Sequence, residues 1–226
     1  MKKIIIFVII TIYSSVSFAH IGHYAKLNKI EMEIFRNGEL IGYNYYFFKR
    51  NGYETVVTNQ VRFSVKLLGT TIFQVESYGE EKYIKDQLVS FNSKTFQNDK
   101  EKFVNLIFDK DKDEFSITGS SYRGIAPKSS IIGNWWSHKL LQAATQISPI
   151  SGSIKDQLVT FLGKEKITQY GKTYEVDHFT LKSKDTSIPK NKMLNFNIWY
   201  DPKTYKILKV SYQRMGNWEY RLKNIE

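Results

Sequence analysis

Apolar and polar residues alternate with a period of two over much of the chain from Lys29 onward. In the first such segment Ile30, Met32 and Ile34 share one face, and the residues between them are charged. Alternate side chains of a β-strand point to opposite faces, so this pattern predicts half-buried strands. Similar segments recur at nearly regular spacing as far as Leu222, which is typical of an antiparallel meander.

Turn signals separate these predicted strands. Asn37-Gly38 and Asn51-Gly52 are dipeptides that readily take positive φ in tight hairpin turns. Lys85-Asp86-Gln87 and the charged run 109–113 also interrupt the alternation. In Asp201-Pro202-Lys203-Thr204, proline presets φ for a turn. Most strands are therefore expected to pair with their neighbours along the chain.

The middle of the chain has a different pattern. Residues 120–130 have a loop-like composition, and the stretch 134–146 places Trp135, Leu140, Leu141 and Ala144 at helical spacing. This spacing predicts one short α-helix. The expected fold class is therefore mainly β: a curled antiparallel sheet or half-barrel, with one short α-helix as partial cover.

The first nineteen residues have the pattern of a secretory signal peptide. Lys2 and Lys3 precede an apolar run from Ile4 to Ile12, and Ser17-Phe18-Ala19 supplies small residues at the cleavage point. The run is too short to cross a bilayer. We expect residues 1–19 to be removed, residues 20–226 to form a single β-rich domain, and the protein to be periplasmic.

Composition narrows the classes of partner. The chain has 33 Lys and Arg against 22 Asp and Glu, a net charge of +11, and no cysteine. The charges are dispersed without a basic run, so we expect no nucleic-acid partner. An anionic membrane surface fits the charge of an exported protein, and a solvated surface that keeps the protein soluble is the simpler explanation. No second apolar run approaches the roughly 20 residues of a membrane span.

His20 is the sharpest candidate for metal chemistry. Cleavage before it would place an amine and an imidazole on the same residue, an arrangement that binds copper when a second histidine completes the donor set. His23, His138 and His178 are the candidates for that second ligand. A mobile chain terminus is the simpler explanation for His20 and His23.

No motif in the chain specifies a reaction. It contains neither a Gly-x-Ser-x-Gly elbow nor a His-Glu-x-x-His helix motif. His138 and His178 have residue types suited to general bases, but isolated histidines more often serve packing. We therefore expect a non-catalytic protein without a cofactor.

Aromatic residues are the most suggestive feature of the predicted strands. Phe, Trp and Tyr make up 15% of the chain, and the segment 42–48 has aromatic residues at both odd and even positions. A sheet that is apolar on both faces needs cover on both, or it forms the wall of a ligand cavity. Ordinary core packing explains the same composition. The residues predicted to line a ligand surface are Tyr45, Phe47, Phe63, Phe73, Trp135, Trp136 and Trp199. A one-residue error in register would exchange the two faces.

Three short motifs carry a resemblance to known families. They are Asn37-Gly38-x-x-Ile41-Gly42, Tyr83-x-x-Asp86-x-Leu88-x-x-Phe91-x-Ser93-x-Thr95 and Trp199-Tyr200-Asp201. Over nearly the whole mature chain, the sequence resembles uncharacterised families of secreted bacterial proteins, which are similar to lipoprotein-carrier-like half-barrels. The resemblance implies a curved antiparallel sheet around an apolar groove. It departs at Gln87, where these families favour glycine, and it carries over no catalytic residue.

The expected function is therefore non-catalytic binding of a hydrophobic envelope ligand, a lipid or an acyl chain. A structural or partner-binding envelope protein is the alternative, and it would bury its aromatic residues and expose an apolar patch or a sheet edge. Copper binding through His20 is the lesser alternative.

Overall fold

The computed structural model describes residues 24–226. The predicted signal peptide, His20 and His23 lie outside the described residues. The strands are β1 (Lys29–Arg36), β2 (Glu39–Asn51), β3 (Glu54–Leu67), β4 (Thr70–Ile84), β5 (Gln87–Gln97), β6 (Lys100–Asp109), β7 (Glu114–Gly119), β8 (Arg123–Pro127), β9 (Ile131–Ile132), β10 (Thr145–Ile147), β11 (Ile154–Gln169), β12 (Lys172–Ser183), β13 (Asn195–Asp201), β14 (Lys206–Gln213) and β15 (Asn217–Ile225). Two short 3₁₀ turns, His138–Leu141 and Lys190–Lys192, accompany them.

All fifteen strands belong to one open sheet, in the order β8-β7-β6-β5-β4-β3-β2-β1-β15-β14-β13-β12-β11-β10-β9. The neighbours are antiparallel except for the short parallel pair β9 and β10. The edge strands β8 and β9 are separated in the chain by residues 128–130 only, so the two edges of the sheet must lie close together. The prediction of a mainly β, curled antiparallel sheet is confirmed.

The predicted hairpin turns are present. Asn37 and Gly38 have φ values of 52° and 84°, and Lys85 has a φ of 56°. Asp201 begins the turn between β13 and β14, where its Oδ1 accepts a hydrogen bond of 2.9 Å from the backbone amide of Lys203. These turns join neighbouring strands of the sheet.

Two expectations for the middle of the chain were wrong. The loop-like stretch 120–130 contains β8, and the α-helix expected within 134–146 is reduced to the 3₁₀ turn at His138–Leu141. The backbone amides of Trp135 and His138 donate to the hydroxyls of Tyr46 and Tyr24, at 3.1 and 3.0 Å. The two tyrosine hydroxyls thus accept the hydrogen bonds that backbone carbonyls would accept in a helix. Among residues 24–226, no helix has the length and apolar character needed to cross a membrane.

A buried carboxylate holds the 134–136 segment inside the curled sheet. Glu81, on β4, is 2% exposed. Its Oε1 accepts hydrogen bonds from Trp136 Nε1 at 2.8 Å and from Asn134 Nδ2 at 2.6 Å, and its other oxygen accepts one from the Tyr83 hydroxyl. Burial raises the pKa of Glu81, and the three donors act in the opposite direction.

The rings around Trp136 fill the interior at this end of the sheet. Tyr24, Phe48 and Tyr83 meet Trp136 edge to face, with ring centres 5.2, 5.4 and 6.0 Å apart. All four residues are buried. Edge-to-face contacts of this kind add to the free energy gained by burial, so this end has a packed core.

We predict that the stability of the wild-type protein falls relative to a Glu81→Gln variant as the pH rises above 4.5, the ordinary pKa of a glutamate side chain. Because burial raises the pKa of Glu81, the folded protein keeps this proton to a higher pH than the unfolded chain. The resulting stabilisation is complete below the unfolded pKa and is lost as the pH rises through the folded pKa. Urea unfolding of both proteins across a pH series measures this, and a difference that grows in favour of the wild type with rising pH would contradict it.

Candidate functional site

The structure divides the seven predicted lining residues between two faces of the sheet. Gly42 pairs with Phe63 across β2 and β3, so the even-numbered residues of β2 share the inner face with Phe63. Tyr45 and Phe47 therefore lie on the outer face. Trp199 also lies there, because its neighbour Ile198 is fully buried on the inner face.

The expectation that one concave face gathers all seven rings is wrong for Tyr45, Phe47 and Trp199. The period of a strand is two, so a displacement by one residue moves a side chain to the opposite face. In β2 both faces carry aromatic residues, and alternation alone gives no preference between Tyr45 and its inward-facing neighbour Tyr46. Trp136 lies inside, but it belongs to the packed core around Glu81.

Phe63, Phe73 and Trp135 do lie on the inner side of the sheet, within a continuous run of aromatic rings. Successive ring centres along this run are 5.9, 5.3, 5.8, 5.3 and 5.1 Å apart. We call it the aromatic chain: in order, Phe73, Phe63, Trp218, Tyr212, Phe196 and Trp135. All of its members except the buried Trp218 are half-buried.

Three members, Phe196, Tyr212 and Trp218, were not among the lining residues predicted from the sequence. The signal for them is the same alternation that identified the strands. Trp218 and Tyr220 flank Glu219 in β15, and the pairing of Tyr212 with Trp218 places both rings on one face. Pairing the two strands of the β14–β15 hairpin would have found Tyr212 and Trp218.

The aromatic chain runs from one end of the sheet to the interior segment. Phe73 and Phe63 lie near the turn between β3 and β4, and Trp218 lies near the turn between β14 and β15. At its other end, Trp135 is held through its backbone amide by the Tyr46 hydroxyl. One end of the aromatic chain is thus anchored to the packed interior, and the other end reaches the hairpin turns.

The surface along these rings carries no ionised group from its own tyrosines. Burial raises the pKa of Tyr212 far above its ordinary value and raises the pKa of Tyr220, which packs beside it, to about 12. A tyrosine hydroxyl is already neutral at physiological pH, and these shifts extend its neutral range to more alkaline solution. A half-buried surface of neutral rings suits an apolar ligand, and one cation, the Arg36 guanidinium, lies at its end, 6.0 Å from the centre of the Trp218 ring.

Two buried asparagines lie between Phe63 and the packed core on the inner face of β2 and β3. Asn59 Nδ2 donates to Asn44 Oδ1 at 2.5 Å, and Asn44 Nδ2 donates to the Tyr46 hydroxyl at 3.0 Å. Both asparagines are buried. Their mutual hydrogen bonds satisfy polar groups that would otherwise be costly inside the sheet, so this layer is structural.

Trp199 lies in a polar network on the outer face. Its ring stacks on His178 with the ring centres 4.6 Å apart, and Lys209 Nζ lies 4.7 Å from the ring centre. Its indole N–H donates to Glu165, whose carboxylate is also 3.3 Å from His178 Nδ1. His178 Nε2 lies 3.0 Å from Asn197 Oδ1, so both nitrogens of this imidazole have protein partners.

The structure does not test the copper hypothesis. His20 and His23 lie outside the described residues, and copper binding through them stays a prediction. His138 is buried, with Nδ1 2.7 Å from the Tyr24 hydroxyl. Between residues 24 and 226, no group of three or more His, Asp or Glu side chains is arranged to hold a metal ion.

Two surface cavities flank the hairpin formed by β11 and β12. One has a volume of about 300 Å³ and is lined largely by charged residues, including Lys164 and Glu175. The other, of about 210 Å³, lies between the hairpin tip and Lys209 and Arg221. Neither cavity is lined by a member of the aromatic chain.

The curled sheet defines the protein as β-barrel-like. It is similar to the crystal structure of a β-barrel-like protein of the domain of unknown function DUF1849 from Brucella abortus, with a TM-score of 0.56, 10% sequence identity, and coverage of 88% of this chain and 95% of that chain. That likeness concerns the fold alone.

The chain itself belongs to the family described as Domain of unknown function (DUF6134), whose model matches residues 32–223. No curated protein matches the sequence. The resemblance to lipoprotein-carrier-like half-barrels stays a prediction.

We predict that Phe63→Ala costs much less stability than Phe91→Ala. Phe91 is 1% exposed, and removing a buried phenyl ring costs about 3–5 kcal/mol, whereas the half-buried Phe63 should cost about 1–2 kcal/mol. Urea unfolding of the two variants measures the difference. Equal losses would show that the aromatic chain is as tightly packed as the core and would leave no surface for a ligand.

Proposed function

We propose that this protein is a non-catalytic periplasmic protein that holds a hydrophobic ligand, a lipid or an acyl chain, against the aromatic chain. The observation that carries this proposal is the run of half-buried rings on the inner face, from Phe73 to Trp135. Folding alone gains most by burying such rings completely, as it does around Trp136. Rings that stay partly open along a concave surface are suited to a second apolar partner.

The electrostatics of the inner face support an uncharged ligand body. Tyrosine hydroxyls are neutral at physiological pH, and burial raises the pKa of both Tyr212 and Tyr220 further. The Glu81 carboxyl is buried and bonded to Asn134, Trp136 and Tyr83, none of which belongs to the aromatic chain. An acyl chain gains roughly 0.8 kcal/mol for each methylene it buries. The resemblance to lipoprotein-carrier-like half-barrels and the predicted signal peptide support the same function and location.

The outer face supports one alternative, a protein that docks a partner chain. Tyr43, Tyr45 and Phe47 form a ladder on β2, with successive ring centres 5.9 and 6.1 Å apart. Tyr43 and Phe47 are 36% and 37% exposed. An exposed aromatic ladder on a sheet face is a feature of protein interfaces, where Tyr and Phe are enriched. The same experiment separates the two functions, because the faces are opposite.

We predict that cis-parinaric acid, a fluorescent long-chain fatty acid, binds the wild-type protein and that the double variant Phe63→Ser/Phe73→Ser weakens this binding about tenfold or more, equivalent to roughly 1.4 kcal/mol. The matched outer-face variant Tyr45→Ser/Phe47→Ser should leave it unchanged. Phe63 and Phe73 lie on the neighbouring strands β3 and β4, and Tyr45 and Phe47 both lie on β2 in the same half of the sheet. Each double variant loses two aromatic rings. Titration with energy transfer from tryptophan to the probe gives the dissociation constants.

Two results would contradict the proposal. One is the absence of measurable parinaric acid binding to the wild-type protein. The other is a loss of binding in the outer-face variant with binding retained in the inner-face variant, which would favour the partner-docking function. Circular dichroism of each variant establishes that it is folded before the titration is interpreted.

A further inference from the structure

Three hairpins that are adjacent in the sheet turn at the same end. They join β1 to β2, β3 to β4 and β14 to β15, and their strands lie in the order β4-β3-β2-β1-β15-β14. Each turn has a residue with positive φ followed by glycine. The leading residues are Asn37, Leu68 and Met215, with φ values of 52°, 49° and 50°.

Leu68 and Met215 are unfavourable choices for these positions. A tight hairpin turn with positive φ favours Asn-Gly, because asparagine tolerates the left-handed region better than other residues with a side chain. The middle hairpin follows this rule with Asn37. The two flanking hairpins instead place long apolar side chains there, 98% exposed at Leu68 and 90% exposed at Met215.

Neither side chain can stabilise the fold by burial, since both are surrounded by solvent. Leu67 and Ile72 extend the apolar character of the β3–β4 turn and are 60% and 50% exposed. Local backbone preference and hydration both favour asparagine, so the leucine and the methionine are better explained by a contact made outside the folded chain.

A basic residue precedes each of the three turns. Lys66 lies before Leu67-Leu68, Arg214 before Met215, and Arg36 before Asn37. Lys66 and Arg214 are exposed, and among the described residues neither forms a salt bridge. Exposed apolar tips with neighbouring cations match the boundary of an anionic bilayer, where apolar side chains enter the acyl region and cations reach the lipid phosphates.

We propose that the Leu68 and Met215 turns anchor this protein on an anionic phospholipid surface. The centres of the two hairpins are four strand spacings apart in the sheet, about 19 Å, so they provide two separate points of contact. The aromatic chain begins beside these turns, at Phe73 and Trp218. A docked protein therefore turns that end of the inner face toward the lipid. The inference goes beyond the proposed function, because anchoring requires no bound ligand.

The test is sedimentation of the exported, purified protein with vesicles of phosphatidylglycerol and phosphatidylcholine, or of phosphatidylcholine alone. Wild-type protein should bind the anionic vesicles, and Leu68→Asn/Met215→Asn should lower its partition at least tenfold. Because asparagine is preferred at both turns, this variant should unfold at the same or a higher urea concentration. The matched control is Ile107→Thr/Ile125→Thr, on outer-face residues that are 63% and 57% exposed, and it should bind as the wild type does.

The proposal is overturned if the asparagine variant binds anionic vesicles as well as the wild type does, if both double variants lose binding equally, or if the wild type binds neutral vesicles as strongly as anionic ones. Parinaric acid titration of the same samples, without vesicles, separates this result from the proposed function. Lost vesicle binding with unchanged parinaric acid binding supports anchoring by the turns.

Discussion

Within residues 24–226, the inner face of the sheet has no second layer of secondary structure to cover it, and this constraint governs the rest of the molecule. Curvature brings the inner faces of distant strands together, and the 134–136 segment enters the space that remains. The Glu81 carboxylate fixes that segment through hydrogen bonds from Asn134, Trp136 and Tyr83. One part of the interior thereby becomes a packed core, and the part toward the hairpin turns keeps half-buried rings.

This division gives the two parts of the inner face different roles. The rings around Trp136 are buried and serve stability. The aromatic chain from Phe73 to Trp135 is anchored to the core at one end and approaches the solvent-exposed turns at the other. The exposed Leu68 and Met215 lie at those turns. A ligand surface on the inner face and a lipid-binding rim at the same end would together allow exchange of an apolar molecule with a membrane.

The strands were predictable because local chemistry determines them: period-two alternation gives the faces, and dipeptides such as Asn37-Gly38 give the turns. The α-helix within 134–146 was wrong because the amides of Trp135 and His138 bind tyrosine hydroxyls far away in the chain, which no local pattern reveals. Part of the aromatic chain was predictable for the same local reason. Tyr45 was placed on the wrong face because its strand is aromatic on both faces, and only pairing with β3 distinguishes them.

The central claim is that the aromatic chain holds an apolar ligand in the cell envelope. Native mass spectrometry of the protein purified from the cells that produce it, before exposure to detergent or chelator, tests this most directly. We expect a bound mass in the lipid range that is lost on extraction with organic solvent. A clean mass of the protein alone would contradict it.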